Sequence, residues 1–553
     1  MRHAVQLGMG ALALIAVSVV AGPGTSLALA STGPSSPGLR SDGATRPIAV
    51  PLAVPSLQAG PDLMALLAVQ QAELTGLGAG GGDEFGYSVA ISGDTALVGA
   101  RGHTVDAFEN AGAVYVYTRL GTTWSQQAEL DTPDAAPFDN FGYSVALSGD
   151  TALIGACGQT VDAQADAGTA YVFTRSGTTW SQQAELNAAD AAADDEFGMS
   201  VALSDDTALI GAPEKTVAGK TLAGAAYVFS RSGASWSQQT ELTAADAAGS
   251  ATFGRSVALS GDTALIGAPQ MVVDTKSFAG AAYVFDGSGA SWSPQPELTA
   301  SDAADNDGFG YSLALSGDTA LIGAPGKTVS GNHSAGAAYL FARSEAKWRQ
   351  QAKLVPPSRP SSGNFGHAVA LTEDEALIGA PQETVVSTAT QAGAAYVFAG
   401  SGTTWTQQSE MCDPQSSAGD LFGCSVALSG GTTLVGADCK TVGSQTEVGA
   451  AFVDVLARPP SISLKSSARS VTVGRRVTLG GLVKNHVSGC NSVVIERKLK
   501  GKLIRLKSVP CAKSGAFKWS WKTPKSGTWV LLAAYKVGAT TFKSKTVAVT
   551  VRR

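Results

Sequence analysis

The sequence predicts an all-β chain: a seven-bladed β-propeller closed by an N-terminal strand, followed by a small β-sandwich. Three observations predict it. A unit of about 56 residues recurs seven times in register. Each unit holds four short strand-like runs. The seventh unit lacks its fourth run, and a matching run stands ahead of the first unit.

Residues 1–30 read as a secretory signal. Arg2 and His3 open it, an apolar run follows from Ala11 to Ala21, and Ala28-Leu29-Ala30 supplies a small-x-small cleavage pattern. The apolar run is short for a membrane span, and no second one of spanning length follows, so no transmembrane segment is expected in the mature chain. Residues 31–63 form a Pro/Ser/Gly-rich linker. The expected location is secreted or at the cell surface.

The repeat body covers 64–457. Phe-Gly recurs at Phe85, Phe141, Phe197, Phe253, Phe309, Phe365 and Phe422, and a Trp keeps step with it from Trp124 to Trp405. In the second copy the four runs are YSVALS (143–148), TALIGA (151–156), GTAYVFT (168–174) and WSQQAEL (180–186). Ser-Gly-Asp between the first two leaves room only for a tight hairpin. Four short antiparallel strands repeated in this way suit a ring of blades, which protects the edges a lone blade would expose. The seventh copy stops after GAAFVDV (449–455), while AVQQAEL at 68–74 precedes the first copy. An N-terminal strand therefore completes the last blade, and deleting residues 64–76 should open the ring.

These residues resemble the FG-GAP repeat family, named for the Phe-Gly start and a Gly-Ala-Pro seen here at 211–213, 267–269, 323–325 and 379–381. The first, second and seventh copies depart from it at Arg101, Cys157 and Asp438. The resemblance covers 64–457. It implies a propeller like the N-terminal domain of integrin α subunits, with adhesion or ligand binding as its use, in a version closer to bacterial exported proteins. Integrin-like repeats often carry a calcium loop between the first two strands. One carboxylate on a Ser-Gly-Asp turn cannot supply six to eight oxygens, so no cofactor is expected there, and the Asp reads as a turn residue capping its own backbone. Calcium is only weakly supported at Asp302–Asp307; solvated surface carboxylates are the simpler reading.

Alternating strand direction places the uniform hairpins at one end of the ring and the longer, variable connections at the other. RGHTVDAFEN (101–110), PEKTVAGKTL (213–222), PQMVVDTKSF (269–278) and PGKTVSGNHS (325–334) differ among copies. A rigid ring with variable loops on one side suits a binding surface for a protein or glycan; unconstrained drift is the plain alternative. The slot after Phe-Gly also varies, and with the loops it gives the ligand-face candidates Tyr87, Arg101, His103, Tyr143, Arg255, Tyr311, His333 and His367. Packing between blades explains the slot equally well.

From Pro459 to Arg553 there are 20 lysines and arginines against one acid, Glu496, a net +19, while the whole chain carries −6. Five alternating runs here resemble an immunoglobulin-like β-sandwich. Arg475, Arg476, Arg497, Lys498, Lys500 and Lys502 are candidates for holding an anionic polymer such as a cell-wall polymer; docking on the acidic propeller is the alternative. Export argues against nucleic acid. Among the six cysteines, Cys490 and Cys511 should pair, and two of Cys412, Cys424 and Cys439 have the opportunity to do so. No catalytic or metal-binding motif occurs, so a non-enzymatic binding or adhesion protein is expected. A carbohydrate-binding lectin, using the recurring Trp, and an exported hydrolase with a cryptic site are the alternatives.

Overall fold

A computed structural model describes residues 67–345, 347–356, 362–385 and 390–457, and, in the C-terminal part, 461–462, 464–468, 470–484, 492–499, 502–512, 516–523, 526–537, 540–543 and 547–552. The signal and linker expected over 1–63 lie outside them.

The first blade is β2 (Phe85–Ser92), β3 (Thr95–Ala100), β4 (Ala113–Leu120) and β5 (Thr123–Leu130), paired in that order. Five more four-stranded sheets of the same order follow. The seventh is built from Val426–Ser429, Thr432–Ala437, Ala450–Ala457 and, on its outer edge, β1 (Leu67–Leu74). β1 runs antiparallel to Ala450–Ala457, with Leu74 opposite Ala451 and Ala68 opposite Leu456. The N-terminal strand thus supplies the missing edge, as the sequence predicts. The innermost strand of each blade lies against that of the next, and the seventh lies against the first.

The repeat's residues explain this packing. Each Phe of Phe-Gly is fully buried and meets the aromatic residues of its own third strand, as Phe197 does Tyr227 and Phe229 at 5.4 and 6.1 Å. The glycine that follows sits at positive φ, and its carbonyl is turned to the preceding blade. There a Ser hydroxyl donates to it: Ser88 to Gly142, Ser144 to Gly198, Ser200 to Gly254, Ser256 to Gly310 and Ser312 to Gly366, at 2.7–2.8 Å. The glycine of Gly-Ala-Pro faces the same carbonyl. A Cβ at Gly211 would run into Gly254 O, and one at Gly323 into Gly366 O. Phe-Gly and Gly-Ala-Pro are therefore the two halves of one blade-to-blade contact.

The hairpin end carries a second latch. Arg175 pairs with Asp150 at 2.5 Å, donates to Thr95 of the preceding blade at 2.8 Å and lies over Trp180 at 5.3 Å. Arg119, Arg231 and Arg343 repeat this arrangement with Asp94, Asp206 and Asp318. The hairpin aspartate thus serves an arginine 25 residues downstream and the blade junction, rather than capping its own turn. The Trp packs between blades: the indole N–H of Trp180 donates to Gln127 and that of Trp236 to Gln183, each in the preceding blade.

The C-terminal part is a two-sheet β-sandwich. One sheet joins Arg476–Lys484 to Ala516–Lys522; the other holds Ser492–Leu499, Lys502–Pro510, Gly527–Val537 and Val547–Arg552. Val477, Leu479, Phe517 and Trp521 from the first meet Val493, Ile495, Leu531 and Val549 from the second in one core. No helix among the described residues is long and apolar enough to cross a membrane.

Candidate functional site

The slot after Phe-Gly turns into the middle of the ring. Tyr87, Tyr143, Met199, Arg255, Tyr311, His367 and Cys424 line one central cavity of about 400 Å³, together with Pro381, Gln382, Leu421 and Asp438 from the loop end. The ring-lining residues are not equivalent chemically. Tyr87 and Tyr143 lie against each other at 5.0 Å, and the guanidinium of Arg101 sits 4.0 Å over the Tyr87 ring while pairing with Glu84 at 2.5 Å. On another arc, Arg255 lies 5.0 Å over Tyr311, with Nη2 3.4 Å from the phenol oxygen. Tyr311 in turn reaches Nε2 of His367 at 3.3 Å, and Nδ1 of His367 faces the Cys424 carbonyl at 3.2 Å. Burial pushes His367 down to about 4, against the carbonyl that favours its proton. The imidazole is therefore neutral, with Nδ1–H donating to Cys424 and Nε2 accepting from Tyr311.

Five of the eight ligand-face candidates line this cavity: Tyr87, Tyr143, Arg255, Tyr311 and His367. Arg101 stacks at its Tyr87 side. The other two lie elsewhere. His103 pairs with Asp83 at 2.9 Å, and His333 is exposed beside Thr328. Two acidic residues near the cavity escape a reading of the sequence. Glu196 has a buried Oε2 without a partner, and burial pushes its carboxyl up to about 7. Asp438 is buried with Oδ1 unpartnered. Arg101 and Asp438 are two of the three departures from Gly-Ala-Pro, so the broken motif was the signal for that part of the site.

The loop end is held by buried carboxylates. Asp195 accepts from the Ala192 amide at 2.9 Å and from Lys215 at 2.9 Å; Asp307 accepts from the Ala304 amide at 2.7 Å and from Lys327 at 2.8 Å. Asp195 is 4% exposed and Asp307 1%. These acids are thus internal pins for the loops rather than solvated surface charges, because each folds back onto an amide three residues earlier and meets a lysine from the next loop. Asp302 also serves Tyr339 at 2.8 Å and Lys353 at 2.7 Å. No cluster of metal-ligating side chains forms among the described residues. Cys424 and Cys439 carry free thiols, so the bridge anticipated among Cys412, Cys424 and Cys439 does not form. Cys424 is committed to the cavity, with Sγ 3.6 Å from Gly86 O.

Above these pins the loop end exposes apolar side chains, among them Phe108, Phe138, Leu222, Val272 and Phe278. Phe138, Leu222 and Phe278 have φ of 70°, 55° and 54°. A bulky residue in that left-handed region is an outlier.

In the C-terminal sandwich, Arg475, Arg476 and Lys498 are exposed. Arg476 stands opposite Lys522, and Lys518 is exposed on the same strand as Lys522. Arg497 is instead drawn onto Trp529, its guanidinium 3.6 Å from the ring, and is not part of an exposed patch. Lys500, Cys490 and the side chain of Lys502 lie outside the described residues.

A ring of seven four-stranded sheets around a lined central cavity defines a seven-bladed β-propeller. The segments 68–117, 124–173, 180–229, 236–285, 292–341, 348–398 and 405–453 each match the FG-GAP repeat, and the chain belongs to that family. No curated protein matches the chain. Among solved structures it is similar to an acylaminoacyl peptidase of Pyrococcus horikoshii, at 8% identity and a TM-score of 0.36, over 74% of this chain and 60% of that one. It is also similar to the FN1–FN3 domains of chicken CNTN1, at 8% identity and a TM-score of 0.13, over 64% of this chain and 96% of that one.

Proposed function

We propose that this is an exported, non-enzymatic binding or adhesion protein that docks a macromolecular partner on the loop end of its propeller. One observation carries the reading. Phe138, Leu222 and Phe278 are 56%, 36% and 45% exposed while held in left-handed backbone. Folding alone favours Asn or Gly at such positions, since each bulky residue there costs on the order of 1–3 kcal/mol. Apolar side chains kept at that cost in water suit contact with a partner. Lys215, in the loop that ends at Leu222, is pinned to the buried Asp195.

The triple variant F138N/L222N/F278N tests this. It should melt higher than the parent, because Asn tolerates positive φ, yet lose binding. The readout is retention of purified chain on arrays of glycans and of extracellular proteins. Equal retention of parent and variant, or none by the parent, would defeat the proposal. The lectin alternative is weakened by the Trp, which is spent between blades rather than offered as a platform.

The basic sandwich is the second part of the proposal: it holds the protein to anionic polymers. Arg475, Arg476, Lys498, Lys518 and Lys522 support it as exposed cations. Binding of the full chain to a teichoic-acid surface should weaken steeply from 50 to 500 mM salt and with R476E/K518E/K522E. Binding indifferent to salt would exclude it.

A further inference from the structure

We infer that the central cavity of the propeller is a binding site for a small organic carboxylate, with Arg255 as the group that receives it. The argument begins from charge bookkeeping. Arg101, Arg119, Arg175, Arg231 and Arg343 each pair with a carboxylate of this chain. Arg255 does not: among the described residues no acid forms an ion pair with it, and its one side-chain hydrogen bond is the 3.4 Å contact with Tyr311. It is half-buried and lines the open central cavity of the ring.

Among the described residues no neighbour meets it with a formal charge at hydrogen-bond distance. Tyr311 spends its proton on His367, and His367 spends its own on the Cys424 carbonyl, so that chain presents only a phenol oxygen to the guanidinium. Glu196 is near enough to feel Arg255 electrostatically but forms no ion pair with it, and its Oε2 stays unpartnered. A half-buried guanidinium without a counter-ion carries a desolvation cost, and an anion entering from solution offsets it. The planar fork of N–H donors matches a carboxylate in two parallel hydrogen bonds.

The rest of the wall describes the body of the ligand. Tyr87, Tyr143 and Met199 add aromatic rings and a thioether to the lining, and Arg101, which stacks on Tyr87, is already matched by Glu84. A volume of about 400 Å³ admits a molecule of one ring or a short chain, not a polymer. The inference does not depend on the loop-end surface, and either can fail without the other.

The test uses the full mature chain, calorimetry and thermal unfolding, with benzoate, its uncharged counterpart benzamide, and a panel of other aromatic and aliphatic monocarboxylates. Benzoate or another panel member should bind and raise the melting temperature, with the matching amide at least tenfold weaker. R255M should lose at least tenfold in affinity. Its fold is expected to hold, because Met199 fills the equivalent slot in the third blade. R231Q, at the hairpin end, should bind as the parent does. The inference is overturned if no carboxylate of the panel binds, if acid and amide bind the parent alike, or if R255M binds as tightly as the parent. The acid–amide comparison needs no variant and decides the matter even if R255M does not fold.

Discussion

Ser425 in the last blade donates its hydroxyl to the carbonyl of Gly86 in the first, at 2.6 Å. It is the same contact that joins the first six blades to one another, made between residues 339 apart in sequence. Across the same junction Arg119 donates to Thr432 at 3.0 Å. The ring therefore closes with the bonds that build it, and β1 adds a hydrogen-bonded strand at the outer edge. Removing β1 leaves the long strand Ala450–Ala457 as an open edge and exposes Leu456 and Ala451. Deletion of residues 64–76 should lower the melting temperature by more than 10 °C and broaden the transition, followed by circular dichroism near 218 nm. A variant melting within a few degrees of the parent would show that the closing strand is dispensable.

The serine contact has a built-in control. The sixth blade carries Ala368 where the others have Ser, so one junction lacks the hydroxyl. Ser312→Ala should cost about 1 kcal/mol, and Ala368→Ser should gain a comparable amount by donating to Gly423 O. Chemical denaturation measures both. Opposite signs are the expected result; two losses would mean that the sixth junction has no room for the hydroxyl.

Gly323 tests the other half of that junction. Its added Cβ would meet the Gly366 carbonyl, backbone that cannot swing aside. Gly323→Ala should therefore destabilise by ~2–5 kcal/mol, whereas Gly317→Ala, in a hairpin with open space around it, should cost only the ~1 kcal/mol of its positive φ. Equilibrium unfolding of the two single variants makes the comparison.

The Asp307–Lys327 pair contains its own double mutant. In the fourth blade the equivalent positions are Ala251 and Met271, both buried. Lys327→Met strands a carboxylate that is 1% exposed and should cost ~3 kcal/mol. Adding Asp307→Ala should recover most of it, since that pair of residues already packs in the neighbouring blade. A double variant as unstable as Lys327→Met alone would mean that the lysine, not the pairing, holds the loop.

The blades were legible because the repeat fixes register: the runs at 143–148, 151–156, 168–174 and 180–186 became Ser144–Ser148, Thr151–Ala156, Thr169–Ser176 and Thr179–Leu186. What joins the blades was less so. The Arg175–Asp150 latch spans 25 residues and the Ser144–Gly198 bond 54, and neither spacing has meaning until the strands are stacked. The buried acid at Asp307 was misread because polarity alone marks it as surface. The signal lay in comparing copies: where Asp becomes Ala251, Lys becomes Met271, and where it becomes Gly363, a Glu383 stands opposite, its carboxylate occupying the space a Cβ would need. Arg255 was visible as an odd member of the slot, but its missing counter-ion could be seen only in three dimensions.

Asp454 gives the closing blade a pH dependence. It occupies the place of Phe173 and Phe229 in the third strand, directly opposite Gln70 of β1 and Thr433 of the second strand. Burial pushes its carboxyl up to about 7. In the unfolded chain it returns to the ordinary aspartate range near ~4. The folded state thus holds this proton more tightly, so its contribution to stability is complete below about pH 4 and drains away as pH rises through about 7. Asp454→Asn removes the titration without changing the shape. At pH 8 the variant should be more stable than the parent, by ~1–4 kcal/mol, and the advantage should shrink towards zero by about pH 4. Melting temperatures across pH 4–8 decide it: parallel curves for parent and variant would mean that Asp454 finds a counter-charge or water at the closing edge, and that the seam between β1 and Ala450–Ala457 is not as dry as its burial implies.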